Sequence, residues 1–295
     1  MLEFKKIEIE DAENYKRFFK DNEELSCENA FVNLFVWQKV YSNMVCVYEN
    51  VLFIKSGEGE EEIFSIPMGS CDLRESFKLI KEYCGGKKPK IWVQEGPNFT
   101  RFKENFADEY VFSEDNDYYD YIYLQSDLAN LSGKKYHSKR NHISAFSKKY
   151  SWRYEKITED NMSAVKRCAE KWYLENAERM DFQMQCEKQG INAVLDNMEK
   201  LNVLGGAIFI DDEVVAFTLG TAINSRVFDI HFEKALLEYP GAYAVINREF
   251  AKNELSAYEL LNREDDMGIE GLRKAKLSYK PTILLKKYIC LPKEE

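Results

Sequence analysis

Apolar and polar positions change period repeatedly along the 295-residue chain. Phe4, Ile7 and Ile9 lie among charges and predict a strand over 3–9, and Asp11 to Lys20 reads as a helix. Phe31, Leu34, Phe35 and Val40 fall at helical spacing within 29–40. Two β-rich segments between Val45 and Lys55 flank Glu49-Asn50 and predict a hairpin. Ile63 to Ile66 is a strand ended by Pro67, and a helix over 72–84 stops at Gly85-Gly86. Ile91 to Gln94 is a strand, Pro97 opens a helix, and Val111 and Tyr118 to Leu124 read as strands. Beyond them the pattern predicts helix 134–149, strand 151–156, and helices near 160–176 and 187–200. Strands follow at 204–210, 213–221 and 226–232, with Asp211-Asp212 as a tight turn. Helix 241–254, a short strand at 257–261, helix 268–278 and a final strand 282–288 complete the chain.

Length sharpens this reading, because about 100–200 residues per domain gives two domains. Strand hairpin, helix, strand, helix, strand is the order of a GNAT-like mixed sheet, and the first half has a comparable rhythm. The expected fold is therefore α/β with mixed sheets in two tandem GNAT-like acyltransferase domains, 1–125 and 126–295. Apolar residues make up 45% of the chain, enough for two cores. No apolar run approaches the roughly 20 residues that span a bilayer, and the N-terminus has no signal-peptide pattern. A cytoplasmic chain, in contact with a membrane at most peripherally, is the expectation. The seven cysteines form no CxxC pair, and none of the three histidines clusters with cysteine, so free thiols and no metal site are expected.

Charge is distributed unevenly. Residues 1–125 hold 15 basic and 25 acidic side chains, net −10, while the remainder balances at 26 and 26. Within that balanced half, residues 128–154 carry seven Lys or Arg and no acid. On the helix over 134–149, with Ser132 as the expected N-cap, Tyr136, Ile143, Phe146 and Tyr150 share one face. Its lysines lie mostly elsewhere, a surface suited to phosphate groups or equally to plain solvation. The strand RVFDIHF continuing into Glu233 sets Phe228, Ile230 and Phe232 on one face by alternation. Asp229, His231 and Glu233 fall on the other, where three ionisable groups imply a cleft or a salt-bridged core. At 238–251, Pro240-Gly241-Ala242 opens a helix whose free N–H groups could hold an anion. GNAT enzymes grip coenzyme A there with a Gln/Arg-x-x-Gly-x-Gly/Ala loop, but here Glu238 takes the first position. In 262–281, Arg263, Glu264, Asp265 and Asp266 precede a helix on which Arg273, Lys276 and Lys280 share a face.

These segments resemble a bacterial family grouped with the C-terminal domain of phosphatidylglycerol lysyltransferase. The resemblance is carried by Asn33-Leu34-Phe35 with Trp37, Tyr121-Ile122-Tyr123 and LSGKKYHSKRNHISAF at 131–146. HFEKA at 231–235, YPGAYAVINREFA at 239–251 and NREDDMGIEGLRKAKLSYKP at 262–281 extend it. It implies two tandem GNAT-like domains and an aminoacyl-tRNA donor, as in Fem-type enzymes of the same architecture. No cofactor is then needed. The amino acid would pass to a hydroxyl or amine of a lipid or small molecule. No counterpart of the multi-helix membrane region of the lysyltransferases is present, which leaves a soluble or membrane-peripheral acceptor open. On this reading Asp229, His231 and Glu233 are acid/base or amino-group-binding candidates. Arg273, Lys276 and Arg263 are phosphate or oxyanion candidates, and Asn247, Glu264 and Asp265 complete the substrate site. Lys135, Lys139 and Arg140 would meet the tRNA acceptor end. The reading requires the 229–233 strand and the 263–276 segment to converge where the basic helix can serve them. An acyl-CoA-dependent N-acyltransferase and a non-catalytic binding module are the alternatives.

Overall fold

The computed structural model describes residues 1–19 and 23–294. Near the N-terminus the Asp11 carboxylate accepts from Glu8 N at 3.0 Å and Lys5 Nζ at 2.7 Å. This turns the chain into helix α1 (Asp11–Phe19). The alternation over 3–9 therefore yields only a bridge between Lys5 and Val45 rather than a strand. Lys20, the expected last residue of that helix, lies outside the described residues. Helix α2 (Phe31–Tyr41) is apolar on nearly every side, and it is used on both. Val32 and Val36 join the core of the C-terminal half, whereas Leu34 joins an N-terminal one.

Strands β1 (Met44–Tyr48) and β2 (Val51–Ser56) form the expected hairpin. Glu49 and Asn50 turn it at φ 46° and 65°, the left-handed geometry that matches strand twist in two-residue hairpins. β3 (Ile63–Ser65), α3 (Leu73–Tyr83), β4 (Lys90–Gln94), α4 (Pro97–Phe106) and β5 (Tyr110–Glu114) follow. Next come β6 (Asp120–Leu124), α5 (Gln125–Asn130), α6 (His137–Lys149), β7 (Trp152–Lys156), α7 (Glu159–Glu175) and α8 (Phe182–Asp196). The last part holds β8 (Leu204–Ile210), β9 (Glu213–Ala222), β10 (Val227–Ala235), α9 (Ala242–Glu254), β11 (Leu260–Asn262), α10 (Glu270–Leu277), β12 (Ile283–Leu285) and β13 (Lys287–Pro292). Two boundaries moved for local reasons. A short 3-10 turn at 134–136, entered through Gly133 at φ 81°, replaces the Ser132 cap of α6. α8 starts five residues earlier than expected because Asp181 caps it, accepting from Met184 N at 2.7 Å.

The strands assemble into a six-stranded sheet, β1-β2-β3-β4-β13-β5, and a seven-stranded sheet, β12-β6-β11-β10-β9-β8-β7. Among the described residues only β3–β4 and β10–β11 pair in parallel. The sheets do not divide at residue 125, because β6 pairs with β11 and β12 in the second sheet. The single strand expected at 282–288 is also two. β12 stays in the second sheet, and one residue later β13 enters the first between β4 and β5. The seven-stranded sheet is covered on one face by α5, α6 and α9 and on the other by α7, with α8 packed on α7 and α2. Gly190 of α8 lets α2 approach closely: a Cβ there would sit 2.6 Å from Val36.

Where the two sheets meet, Lys287 of β13 is completely buried beside Asp120 of β6, Nζ to Oδ1 2.7 Å, and Glu28, also at 2.7 Å. Asp120 accepts in addition from Cys27 N at 3.0 Å and Asn262 Nδ2 at 2.8 Å. Burial opposes its charge, yet the Lys287 ammonium and these donors hold the Asp120 carboxyl below the usual range. Removing one partner of such a buried pair leaves the other uncompensated. Lys287→Ala should therefore cost about 3–5 kcal/mol in urea unfolding, and Lys287→Met combined with Asp120→Asn should cost less than Lys287→Ala alone. A loss under about 1 kcal/mol for Lys287→Ala would contradict the assignment.

Candidate active site

Parallel pairing of β10 with β11 covers only Val227–Leu260, Phe228–Leu261 and Asp229–Asn262. β11 then ends, while β10 continues to Ala235. The two chains splay, and side chains bridge the gap. Against β9 the register slips between Ile230 and Phe232, a β-bulge at His231. Gly220 stands opposite, where a Cβ would lie 2.2 Å from the Asp229 carbonyl oxygen. The bulge breaks the alternation. Phe228 and Ile230 point into the core under α9, but Phe232 points into the core under α7. Glu233 consequently faces α9 instead of sharing a face with Asp229 and His231, which corrects the grouping expected from strict alternation.

On the α9 face, Glu233 accepts from Arg263 Nη2 at 2.9 Å and Asn247 Nδ2 at 3.0 Å. The Arg263 guanidinium lies 4.8 Å from the Tyr279 ring centre and 5.7 Å from that of Tyr123. Lys139 of α6 places Nζ 3.8 Å from the same Tyr279 ring. Two buried atoms here, Arg263 Nη1 and Asn247 Oδ1, have no hydrogen-bond partner in the protein. Burial, and then the neighbouring Arg263 charge, bring the Lys139 ammonium down to about 8, with Glu233 partly opposing.

The other face presents acids. His231 Nε2 is 2.7 Å from Thr221 Oγ1, and Nδ1 is 3.0 Å from Glu264 Oε1, which also accepts from Asn33 Nδ2 at 3.2 Å. Asp229 Oδ2 is 3.4 Å from His231 Nδ1, but the imidazole's hydrogen bond goes to Glu264, and both Asp229 oxygens lack a hydrogen-bond partner. Burial, reinforced by the Glu264 and Asp120 charges, holds the Asp229 carboxyl well above its usual range. Asp265 is likewise pushed up to about 6, chiefly by burial.

The segment after β11 is built to place Arg263 and Glu264 on opposite faces. Asn262 Oδ1 accepts from Glu264 N at 2.7 Å, and Glu264 adopts φ 57°, a left-handed conformation uncommon outside glycine. Lys276 steadies the turn: its Nζ donates to the carbonyl oxygens of Arg263 at 2.5 Å, Glu264 at 3.1 Å and Asp265. With three carbonyls around it the Lys276 ammonium is fully engaged. Arg273 is turned away, pairing with Asp266 at 2.7 Å and Asp117 at 2.5 Å. Of the basic-helix trio, only Lys139 reaches the gap. Lys135 pairs with Asp127 at 2.8 Å, and Arg140 donates to the carbonyls of Leu131 and Gly133. Glu238, the acid at the head of the loop before α9, is held by Lys171 at 2.5 Å. Tyr123, Tyr279, Thr221 and Asn33 were not foreseen. Tyr123, Tyr279 and Asn33 lie inside the resembling segments, but no spacing rule could show that they meet the strand.

Residues 19–291 match the family model described as phosphatidylglycerol lysyltransferase, C-terminal. The chain belongs to this family. A conserved protein of unknown function from Bacteroides thetaiotaomicron VPI-5482 is 35% identical, with a TM-score of 0.90 over 99% of this chain and 100% of that one. The C-terminal domain of a putative lysylphosphatidylglycerol synthetase from Agrobacterium fabrum aligns with a TM-score of 0.67 over 95% and 91% of the two chains. At 14% identity it shows the shared fold. The uncharacterized protein MYCGA3080 of Mycoplasmoides gallisepticum (strain R(low / passage 15 / clone 2)) is 28% identical over 171 residues, 57% of this chain. The match spans 54% of that relative, about half its length. The lysyltransferase C-terminal family thus accounts for the mixed α/β, tandem GNAT-like fold, here with strands exchanged between the sheets. Among the described residues no helix is long and apolar enough to cross a membrane.

Lys139 gives the site a measurable signature in this member of the lysyltransferase family. Competitive acylation with a small amine reagent should give it a midpoint near pH 8, well below the ordinary lysine value of about 10.4. Arg263→Gln removes a repelling cation and should move that midpoint up, whereas Glu233→Gln should move it down. A wild-type midpoint above about 10 would refute the geometry around Tyr279.

Proposed function

We propose that this chain transfers an aminoacyl group from aminoacyl-tRNA to a hydroxyl or amine of a lipid or small molecule, in the splay between β10 and β11. The observation that carries the reading is the cluster on the α9 face. There Lys139 of the basic helix, half-buried over the Tyr279 ring, comes near the Glu233–Arg263 pair bridging the gap. Family membership supports aminoacyl transfer in general; the donor and the acceptor belong to the proposal.

An aminoacyl ester is already activated, so the site has to align ester and acceptor, move a proton and stabilise the oxyanion. Arg263 is the oxyanion partner in this scheme, since its Nη1 is buried without a protein acceptor while Nη2 is fixed by Glu233. Lys139, partly neutral near pH 8, takes the proton released when the acceptor attacks the carbonyl carbon. As the carbonyl carbon's bond to the ribose oxygen of the tRNA breaks, Lys139 gives that proton to the ribose oxygen, which leaves as a hydroxyl. Glu233 and Asn247 orient Arg263. Lys276 and Arg273 act through the backbone and the 266–273 turn, as positioning residues.

Single-turnover transfer from charged tRNA tests the scheme, with a primary amine as surrogate acceptor. Arg263→Gln should lower the rate about 10²–10³-fold, the typical effect of one oxyanion donor. Lys139→Arg keeps the charge but loses the proton acceptor, so it should lower kcat about 10²-fold or more with KM nearly unchanged. A loss confined to KM would make Lys139 a phosphate contact instead, and wild-type rates in both variants would end the proposal. Saturable acetyl-CoA binding by calorimetry would favour the acyl-CoA reading, against which Glu238 stands at the head of the loop.

A further inference from the structure

On the face of the sheet opposite Lys139, we infer a binding site for one first-row divalent metal ion, formed by Asp229, His231 and Glu264. One donor atom from each lies within 4.8 Å of the others. The two distances to His231 Nδ1, 3.0 Å from Glu264 Oε1 and 3.4 Å from Asp229 Oδ2, have a geometric meaning. Ligands about 2.1 Å from a common metal are separated by about 3.0 Å along an octahedral edge and about 3.4 Å along a tetrahedral one. Each carboxylate oxygen therefore stands from the imidazole nitrogen at a separation that two ligands of one ion can keep.

The second observation is independent of the clustering. Asp229 is completely buried, and neither carboxylate oxygen has a hydrogen-bond partner among the described residues. Buried polar atoms are nearly always satisfied, and an orphaned carboxylate aimed at two further ligands calls for a cation. Among the described residues no Lys or Arg makes an ion pair with Asp229 or Glu264. The neighbouring group of Cys27, Glu28 and Asp120 shows the contrast, because Lys287 already sits among its acceptors at 2.7 Å.

The surroundings suit metal ligation. Thr221 Oγ1 holds Nε2 of the imidazole at 2.7 Å, and Asn33 Nδ2 holds Glu264 at 3.2 Å, the outer contacts that orient metal-binding side chains. One imidazole nitrogen with two carboxylates matches Zn²⁺ or Mn²⁺ better than the all-oxygen sets preferred by Mg²⁺ and Ca²⁺. An ion there would tie β10 to the segment after β11 from the face that Arg263 and Glu233 do not reach.

Chelator-treated full-length chain, titrated with Zn²⁺ and separately with Mn²⁺ by calorimetry, tests this directly. One ion per chain is expected, with a rise in Tm. Asp229→Asn and His231→Gln should each weaken binding at least tenfold. Thr221→Val keeps all three ligands and should weaken it about tenfold through ring orientation. Glu233→Gln, on the other face, should bind as wild type while failing in aminoacyl transfer, so the metal site and the transfer reaction are judged separately. Circular dichroism establishes that each variant is folded, and Mn²⁺ electron paramagnetic resonance reports immobilised ion without reference to activity. The inference is overturned if neither ion binds at 1:1 below 100 μM, or if folded Asp229→Asn and His231→Gln chains bind as wild type does.

Discussion

A buried polar relay fixes the shape of the gap on which the rest depends. Lys287 arrives on the last strand and neutralises Asp120; Asp120 accepts from Asn262; Asn262 in turn accepts from the backbone of Glu264. Each contact has its charge or donor satisfied by the next, which is the condition under which polar groups survive burial. The relay begins in the six-stranded sheet and ends at the residue where the seven-stranded sheet opens. Orientation of Arg263 and Glu264 is therefore a property of how the two sheets are joined, not of one domain alone. The exchange of β6 and β13 gains a purpose from this, since it threads the relay through both sheets.

Strain at Glu264 fits the same picture. A left-handed conformation in a residue other than glycine costs on the order of 1–3 kcal/mol and persists only where surrounding contacts enforce it. Lys276, gripping three successive carbonyls, and Asn262, whose Oδ1 accepts from the Glu264 amide, supply that enforcement. The outcome is that two adjacent residues, a cation and an acid, emerge on opposite faces of one sheet.

Much of the architecture was readable because it depends on local periodicity. The β1–β2 hairpin, the buried face of α6 and the order of strands and helices in the second half all follow from apolar spacing. The resemblance named the segments that meet at the gap. Spacing could not foresee the bulge at His231, which flips Glu233 to the other face, because a bulge is set by the register against β9. Nor could it show that 282–288 would break into strands of different sheets, since the choice lies in partners distant in sequence. The contacts of Lys276, Arg273 and Arg140 were illegible for a related reason. A cation's spacing on a helix says where it points, but only tertiary structure says whether a carbonyl or an acid is waiting there.

The bulge also explains why one short strand can serve two kinds of chemistry. Without it, Asp229, His231 and Glu233 would crowd three ionisable groups onto one face, and the mutual repulsion of the two carboxylates would have to be relieved by protonation or by a cation. With it, Glu233 is delivered to Arg263 and Asn247 on the α9 face. Asp229 and His231 remain with Glu264 in a pocket of acids. One extra residue in β10 thus divides the gap into a face where Arg263 and Lys139 lie near Glu233 and a face where Asp229 and Glu264 flank His231. A side chain at Gly220 would press on the Asp229 carbonyl, 2.2 Å from its Cβ, and so on the backbone that leads into the bulge.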